Sequence, residues 1–256
     1  MTALVNINNG AGDWHIAVRS GGHSYPGSNN IDRGVTIDLS MMNSSSYDPG
    51  TNLAGIQPGG RWKKVYADLE EHGVTVAGGR DGGVGVGGFL LGGGISFFSN
   101  HKGFGCDSVI NYEVVLANGT VINANSTANA DLWRALKGGG SNFGIVTRYD
   151  MEAIPSQDLY YDLRVLSSDY SDDVVDAVVG FTAQDDSFAD NALVTLFTYK
   201  PESEITVTTI YVNVAGNGNT TTAFDKVKSL PALTNFTTFQ NMADAAAGSE
   251  LADAGR

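Results

Sequence analysis

A single cysteine, Cys106, leaves this chain without any intrachain disulfide. Basic residues are scarce as well: 15 Lys and Arg stand against 28 Asp and Glu, a net charge of -13. Such a charge repels nucleic-acid phosphates and anionic lipid surfaces, so neither nucleic acid nor a membrane is an expected partner. No run approaches the roughly 18 apolar residues that span a bilayer. The opening MTALVNINNG has neither the basic start nor the apolar core of a secretory leader. No metal is expected. With 42% hydrophobic and 17% charged residues, the 256 positions suit one large domain or two ordinary ones.

Glycine is abundant, and it is concentrated. Between Gly78 and Gly94, 10 of 17 residues are glycine, where average usage of about 7% would supply roughly one. Every glycine adds backbone entropy that folding must overcome, so this density favours neither helix nor strand. Something must require bare backbone there. Apolar spacers (Val84, Val86, Phe89, Leu90 and Leu91) set the run apart from a solvated linker. A second signal precedes it: Arg19-Ser20-Gly21-Gly22-His23-Ser24 places a glycine pair directly before a histidine. Amides around such a pair can converge on an anion while the imidazole points at whatever carries it.

Around these motifs the pattern alternates short strands and helices. Ile16–Arg19, Val35–Leu39 and Leu53–Gln57 are apolar, β-prone runs between turn residues. Trp62, Val65, Tyr66 and Leu69 recur at helical spacing within 61–72, and Gly73 follows as a stop. A strand is expected at Val74–Ala77 and a hairpin across Asn118-Gly119, joining Tyr112–Ala117 to Thr120–Ile122. A helix over Ala130–Lys137 and a strand over Ile145–Ile154 follow. Beyond Pro155 the texture becomes ordinary α+β, with a helix near Asp172–Ala183, strands near Leu193–Tyr199 and Ile205–Val214, and a possible helix near Thr222–Leu230.

Three ordered motifs, VRSGGHSYPG at 18–27, VGVGGFLLGGGISFFSNHKGFGCDSV at 84–109 and LWRALKGGGSNFGIVT at 132–147, resemble the flavin domain of the berberine-bridge-enzyme-like oxidoreductases of the vanillyl-alcohol-oxidase superfamily. The resemblance covers most of residues 14 to 154. It implies an α+β protein with a PCMH-type FAD-binding domain over 1–154 and an incomplete α+β substrate domain over 155–256. Family members carry a strand and most of a helix before the place of Leu4–Asn9, and a final segment that returns to the flavin site. The resemblance therefore implies a truncated copy, whose full-length parent is expected to be secreted. The sequons at Asn43, Asn118, Asn125, Asn219 and Asn235 fit a glycoprotein.

The same resemblance implies FAD as cofactor, bound covalently through a ring nitrogen of His23 to the 8α-methyl carbon. An imidazole suits that role, because its neutral nitrogen offers a lone pair near pH 7. Arg19, Ser20, Gly21, Gly22 and Ser24 would face the pyrophosphate, and Gly82, Gly83, Gly85 and Gly88 would pass close to the flavin. Gly144, Ile145 and Val146 would line it with main chain and small apolar surface. Many relatives link a cysteine of the glycine loop to the flavin as well; Asp81 stands at that place, and a carboxylate cannot form the thioether. One covalent link is thus expected, and Cys106 reads as a buried small residue. The implied reaction is two-electron oxidation of a small alcohol, sugar or amine-type molecule, with oxygen or another acceptor taking the electrons. Sequence names no catalytic base, and Tyr25, Tyr47, Tyr112 and Tyr149 are candidates only for packing.

Two other readings stay open. Gly83-Val84-Gly85-Val86-Gly87-Gly88 satisfies G-x-G-x-x-G, with Asp107 and Glu113 further on, as in nicotinamide-dependent dehydrogenases. The chain could also be a truncated pseudo-oxidoreductase that turns nothing over.

Overall fold

The computed structural model describes residues 15–24, 30–32, 34–201 and 203–249. These fall into two compact units, one drawn from the described residues within 15–96, 102–156 and 246–249 and the other from those within 97–101 and 157–245.

The first unit begins with two parallel strands, β1 (His15–Arg19) and β2 (Gly34–Asp38). Its main sheet is five-stranded and antiparallel throughout, in the order β3 (Ser45–Asp48), β4 (Leu53–Ile56), β8 (Ile145–Glu152), β6 (Val109–Val115), β7 (Val121–Asn125). Alternation builds its inner face: Tyr112, Val114, Val146, Tyr149 and Met151 are buried, and the Tyr112 and Tyr149 rings meet edge to face at 5.6 Å. Between β6 and β7, Gly119 takes φ +86° and Asn118 Oδ1 accepts the Thr120 N–H at 3.0 Å, which closes the hairpin expected from Asn-Gly.

Helix α1 (Trp62–Glu70) shows the expected period, because Trp62, Val65, Tyr66 and Leu69 are its buried residues. Gly73, at φ +67°, ends that region in the left-handed conformation only glycine adopts freely. Two short strands, β5 (Val74–Thr75) and β9 (Ile154–Pro155), pair antiparallel, so the expected strand at 74–77 is shortened to two residues.

The glycine-rich run departs from the expectation that its composition favours no helix. Val86–Leu91 forms a helix, α2, which buries Val86, Gly87 and Leu90. Tertiary burial of an apolar face outweighs the propensity penalty of two glycines. A single-turn helix α3 (Ser99–Lys102) and helix α4 (Ala130–Leu136) follow.

The second unit is built on an antiparallel sheet ordered β11 (Asn191–Lys200), β12 (Ser203–Asn213), β10 (Leu159–Ser167), β13 (Thr234–Gln240). Helix α5 (Ser171–Thr182) starts with Asp172 and Asp173 in its first turn, where carboxylates suit the helix dipole. Its Val174 packs with Leu166 and Val207, and its Ala177 with Tyr211 and Phe224. The possible helix at 222–230 contracts to one turn, α6 (Asp225–Lys228), and a last helix α7 spans Met242–Gly248.

Candidate functional site

Two stretches of main chain zip together in the first unit. The N–H of Trp62 donates to the Val84 carbonyl at 3.2 Å and that of Lys63 to Gly82 at 3.1 Å, while Val86 and Gly87 return bonds to Gly60 and Pro58 at 3.0 and 3.2 Å. The Arg61 guanidinium also donates to the Gly83 carbonyl. The Trp62 indole lies against Gly78 and Gly79, where a Cβ would come within 2.2 and 2.4 Å of its ring atoms. Part of the glycine density therefore serves packing.

The histidine bend meets this loop at one point. A Cβ on Gly21 would lie 2.5 Å from the Gly85 Cα, and one on Gly85 would lie 2.4 Å from the Gly21 Cα. Each position requires the other to lack a side chain. Beside the contact, the Ser20 hydroxyl donates to the Pro58 carbonyl at 2.5 Å and accepts the Gly87 N–H at 3.2 Å. That hydroxyl fastens the two bends together.

Where they meet, a cavity of about 420 Å³ opens. Its wall takes Val18 and Ser20 to Ser24 from the histidine bend; Val84, Gly85, Gly87 to Phe89, Leu91 and Gly92 from the glycine loop; and Gly140, Ser141 and Gly144 to Val146 from the segment entering β8. Leu39, Pro58 and Tyr149 complete it. His23 is exposed at this wall. Of the residues proposed from sequence, Ser20, Gly21, Gly22, His23, Ser24, Gly85, Gly88, Gly144, Ile145 and Val146 are brought together here.

Arg19, Asp81, Gly82 and Gly83 lie off the wall. Arg19 pairs with Asp38 at 3.2 Å on the surface. The Asp81 carboxylate accepts the Gly83 N–H at 2.7 Å and so shapes the turn. Gly82 packs on Lys63 and the Ala246 carbonyl. Val18, Leu39, Pro58, Val84, Gly87, Phe89, Leu91, Gly92, Gly140, Ser141 and Tyr149 are wall residues not proposed from sequence, although Pro58-Gly59-Gly60 is a turn signal that could have flagged one of them. Tyr25 lies outside the described residues.

No carboxylate, lysine or arginine is among the described wall residues. The Tyr149 phenol is fully buried, donates to the Gly87 carbonyl at 3.4 Å, and is pushed well above its usual range by burial. No group of three or more metal-ligating side chains occurs among the described residues. A cavity walled by main chain and aliphatic or aromatic carbon, with serine hydroxyls and an imidazole at its rim, suits a flat, largely apolar ring. Gly88 is exposed at this wall, and a Cβ there would meet no atom within 4 Å beyond its own helix. The space in front of it is room for a ligand.

The dinucleotide fold of nicotinamide enzymes is absent from the described residues. G-x-G-x-x-G there joins parallel strands of a βαβ unit, whereas the main sheet here is antiparallel at every pairing.

Comparison with known proteins agrees with this geometry. Residues 3–125 match the FAD binding domain family. The chain is 40% identical over 191 residues to FAD-dependent monooxygenase drtC of Aspergillus calidoustus, covering 74% of this chain and 36% of that protein. It is 48% identical over 151 residues to FAD-dependent monooxygenase tpcD of Cochliobolus heterostrophus, covering 59% and 29%. The chain thus spans about a third of the length of the curated relatives it matches. Among solved structures, 6-hydroxy-D-nicotine oxidase from Arthrobacter nicotinovorans superposes with a TM-score of 0.83 at 21% identity, over 96% of this chain and 54% of that one. Xylooligosaccharide oxidase from Myceliophthora thermophila gives 0.75 at 26%, over 90% and 50%.

Proposed function

We propose that this chain carries an FAD-binding domain, a reading supported by its match to that family over residues 3–125, and that its parent oxidises a small organic molecule by hydride transfer to an FAD tethered through His23. The observation that carries the reading is the cavity itself. Three segments far apart in sequence share one wall, with the imidazole at its rim and the open face of Gly88 inside.

Bound FAD supplies a two-electron acceptor that peptide cannot. The chain supplies the rest. Gly88 leaves open the space the ring would fill, the Gly21–Gly85 contact joins the two bends beside it, and Val84, Phe89, Ile145 and Val146 would give it apolar surface. His23 offers the nucleophilic nitrogen. On this reading the ring nitrogen of His23 would hold the flavin at its 8α-methyl carbon. Asp81, bonded to the Gly83 N–H, offers no thiol for a second link.

The relatives named above act as monooxygenases or on 6-hydroxy-D-nicotine and xylooligosaccharide by their names, and a small-molecule substrate for this parent rests on that company. Export of a glycosylated parent is supported by placement of the sequons. Asn118 is exposed at the tip of the β6–β7 hairpin. Asn125, in contrast, donates to Asn111 at 3.1 Å and accepts from Thr127 and Ala128.

The test is to express the chain, precipitate it with acid and measure flavin absorbance in the pellet. Wild type retains yellow colour and His23→Ala loses it. Colour persisting in the variant contradicts the tether, and a colourless wild type supports the non-catalytic alternative.

A further inference from the structure

The described arginines of the first unit are Arg19, Arg61, Arg80, Arg134 and Arg148, of which Arg134 lies exposed on α4. Arg19 pairs with Asp38, Arg61 bonds the Gly83 carbonyl, and Arg148 holds Asp150 at 2.8 Å. Arg80 is different. It is partly buried where the chain leaves the buried run Val74–Gly79, yet its guanidinium makes no hydrogen bond or ion pair among the described residues. The adjacent carboxylate is no partner, because Asp81 is turned onto the Gly83 N–H. Burial lowers the Arg80 pKa from its usual value, and no neighbouring charge offsets this.

A partly desolvated charge without a counter-ion is unfavourable in a folded chain, which ordinarily pairs it or places it in water. An arginine left in that state is poised for an anion that arrives from outside, and its planar fork matches the two oxygens of a carboxylate or phosphate. Arg80 also stands on the same loop as Val84 and Gly85 of the cavity wall.

We propose that Arg80 is an oxyanion-recognition residue, which binds a carboxylate or phosphate group of a small-molecule ligand through its unpaired guanidinium. The proposal goes beyond the flavin reading and stands or falls without it, since neither probe below contains a flavin.

The experiment compares melting temperatures of the whole chain as wild type, Arg80→Met and Arg80→Lys, each alone, with inorganic pyrophosphate and with benzoate. Without added anion, Arg80→Met melts at or above wild type, because the substitution removes an unpaired charge and keeps the length of the side chain. Wild type rises by about 2 °C or more with at least one anion, Arg80→Lys by less, and Arg80→Met not at all. A response to pyrophosphate alone assigns the site to a phosphate, as in a dinucleotide; a response to benzoate alone assigns it to an acidic substrate. An Arg80→Met chain that melts clearly below wild type, or does not fold, shows that the fold already uses the guanidinium and overturns the proposal. Equal responses in wild type and Arg80→Met, or none in wild type, overturn it as well.

Discussion

The cavity wall around Gly21, Gly85 and Gly88 and the cluster around Asp162 are assembled on opposite principles. At the wall, main chain touches main chain, and what matters is the absence of side chains. In the second unit, charge is buried: Asp162 is 1% exposed, lies 3.2 Å from Arg164, and accepts from the Tyr160 hydroxyl at 2.9 Å. Arg164 donates onward to the Lys228 carbonyl at 2.9 Å, and the Lys228 ammonium sits 4.6 Å from the centre of the Tyr160 ring. The comparison teaches where each region is vulnerable. A wall of glycines fails when atoms are added, and a buried ion cluster fails when one partner is removed.

Removing a partner has the largest expected effect. Asp162→Ala leaves Arg164 and the Tyr160 hydroxyl short of their acceptor, and breaking such a buried pair costs about 3–5 kcal/mol. Chemical denaturation of the variant measures the loss; a change below about 1 kcal/mol would place the cluster among ordinary surface pairs. Adding atoms comes next. Gly85→Ala forces a methyl to within 2.4 Å of the Gly21 Cα and is expected to cost about 1–3 kcal/mol as overpacking. Flavin should be lost with it, and a stable, yellow Gly85→Ala protein would refute the contact between the bends.

Alkali should leave the two regions alike, because both bury tyrosines. Burial, with the Asp162 hydrogen bond, pushes Tyr160 up to about 12, and burial does the same for Tyr211. Tyr112 and Tyr149 of the first unit are raised further, again by burial. A raised tyrosine pKa means that the unfolded chain ionises first. The stability these phenols contribute is complete below pH about 10 and is lost as pH climbs towards about 12. Denaturation midpoints across that window should fall steadily, and a flat profile would contradict the burial. The smallest effect is expected at the hairpin tip. Asn118→Gln loses the side-chain bond to the Thr120 N–H and should cost about 1 kcal/mol or less, and mass spectrometry of the exported protein should find a glycan at Asn118 and none at Asn125.

How much was legible in sequence follows the same division. Helix α1 could be read because Trp62, Val65, Tyr66 and Leu69 face one core at helical spacing, and the β6–β7 hairpin because Asn118-Gly119 specifies its turn. Strand β10 escaped notice because Leu159 to Asp162 are all buried, which removes the alternation that marks a half-buried strand. Strand β3 is short and polar, and β13 is largely exposed, so neither carries an apolar signal. Helix α2 was hidden by its own glycines. At the site, both bends and the 144–146 segment were visible as motifs. Sequence could not show that Gly78 and Gly79 serve Trp62, that Gly21 and Gly85 serve each other and that Gly88 faces open space, since identical residues differ only in what they touch. Pro58 and Tyr149 reach the wall from distant elements by packing alone.

The central claim is that glycine at this wall is kept for a ligand, and Gly88 isolates it. Gly88→Ala adds a methyl that meets no protein atom within 4 Å beyond its own helix, at a helical position where alanine is favoured by up to about 1 kcal/mol. FAD bound per chain should therefore be measured beside melting temperature in wild type and Gly88→Ala. The account expects an unchanged or higher melting temperature with flavin content sharply reduced. A Gly88→Ala protein that holds as much FAD as wild type would contradict it.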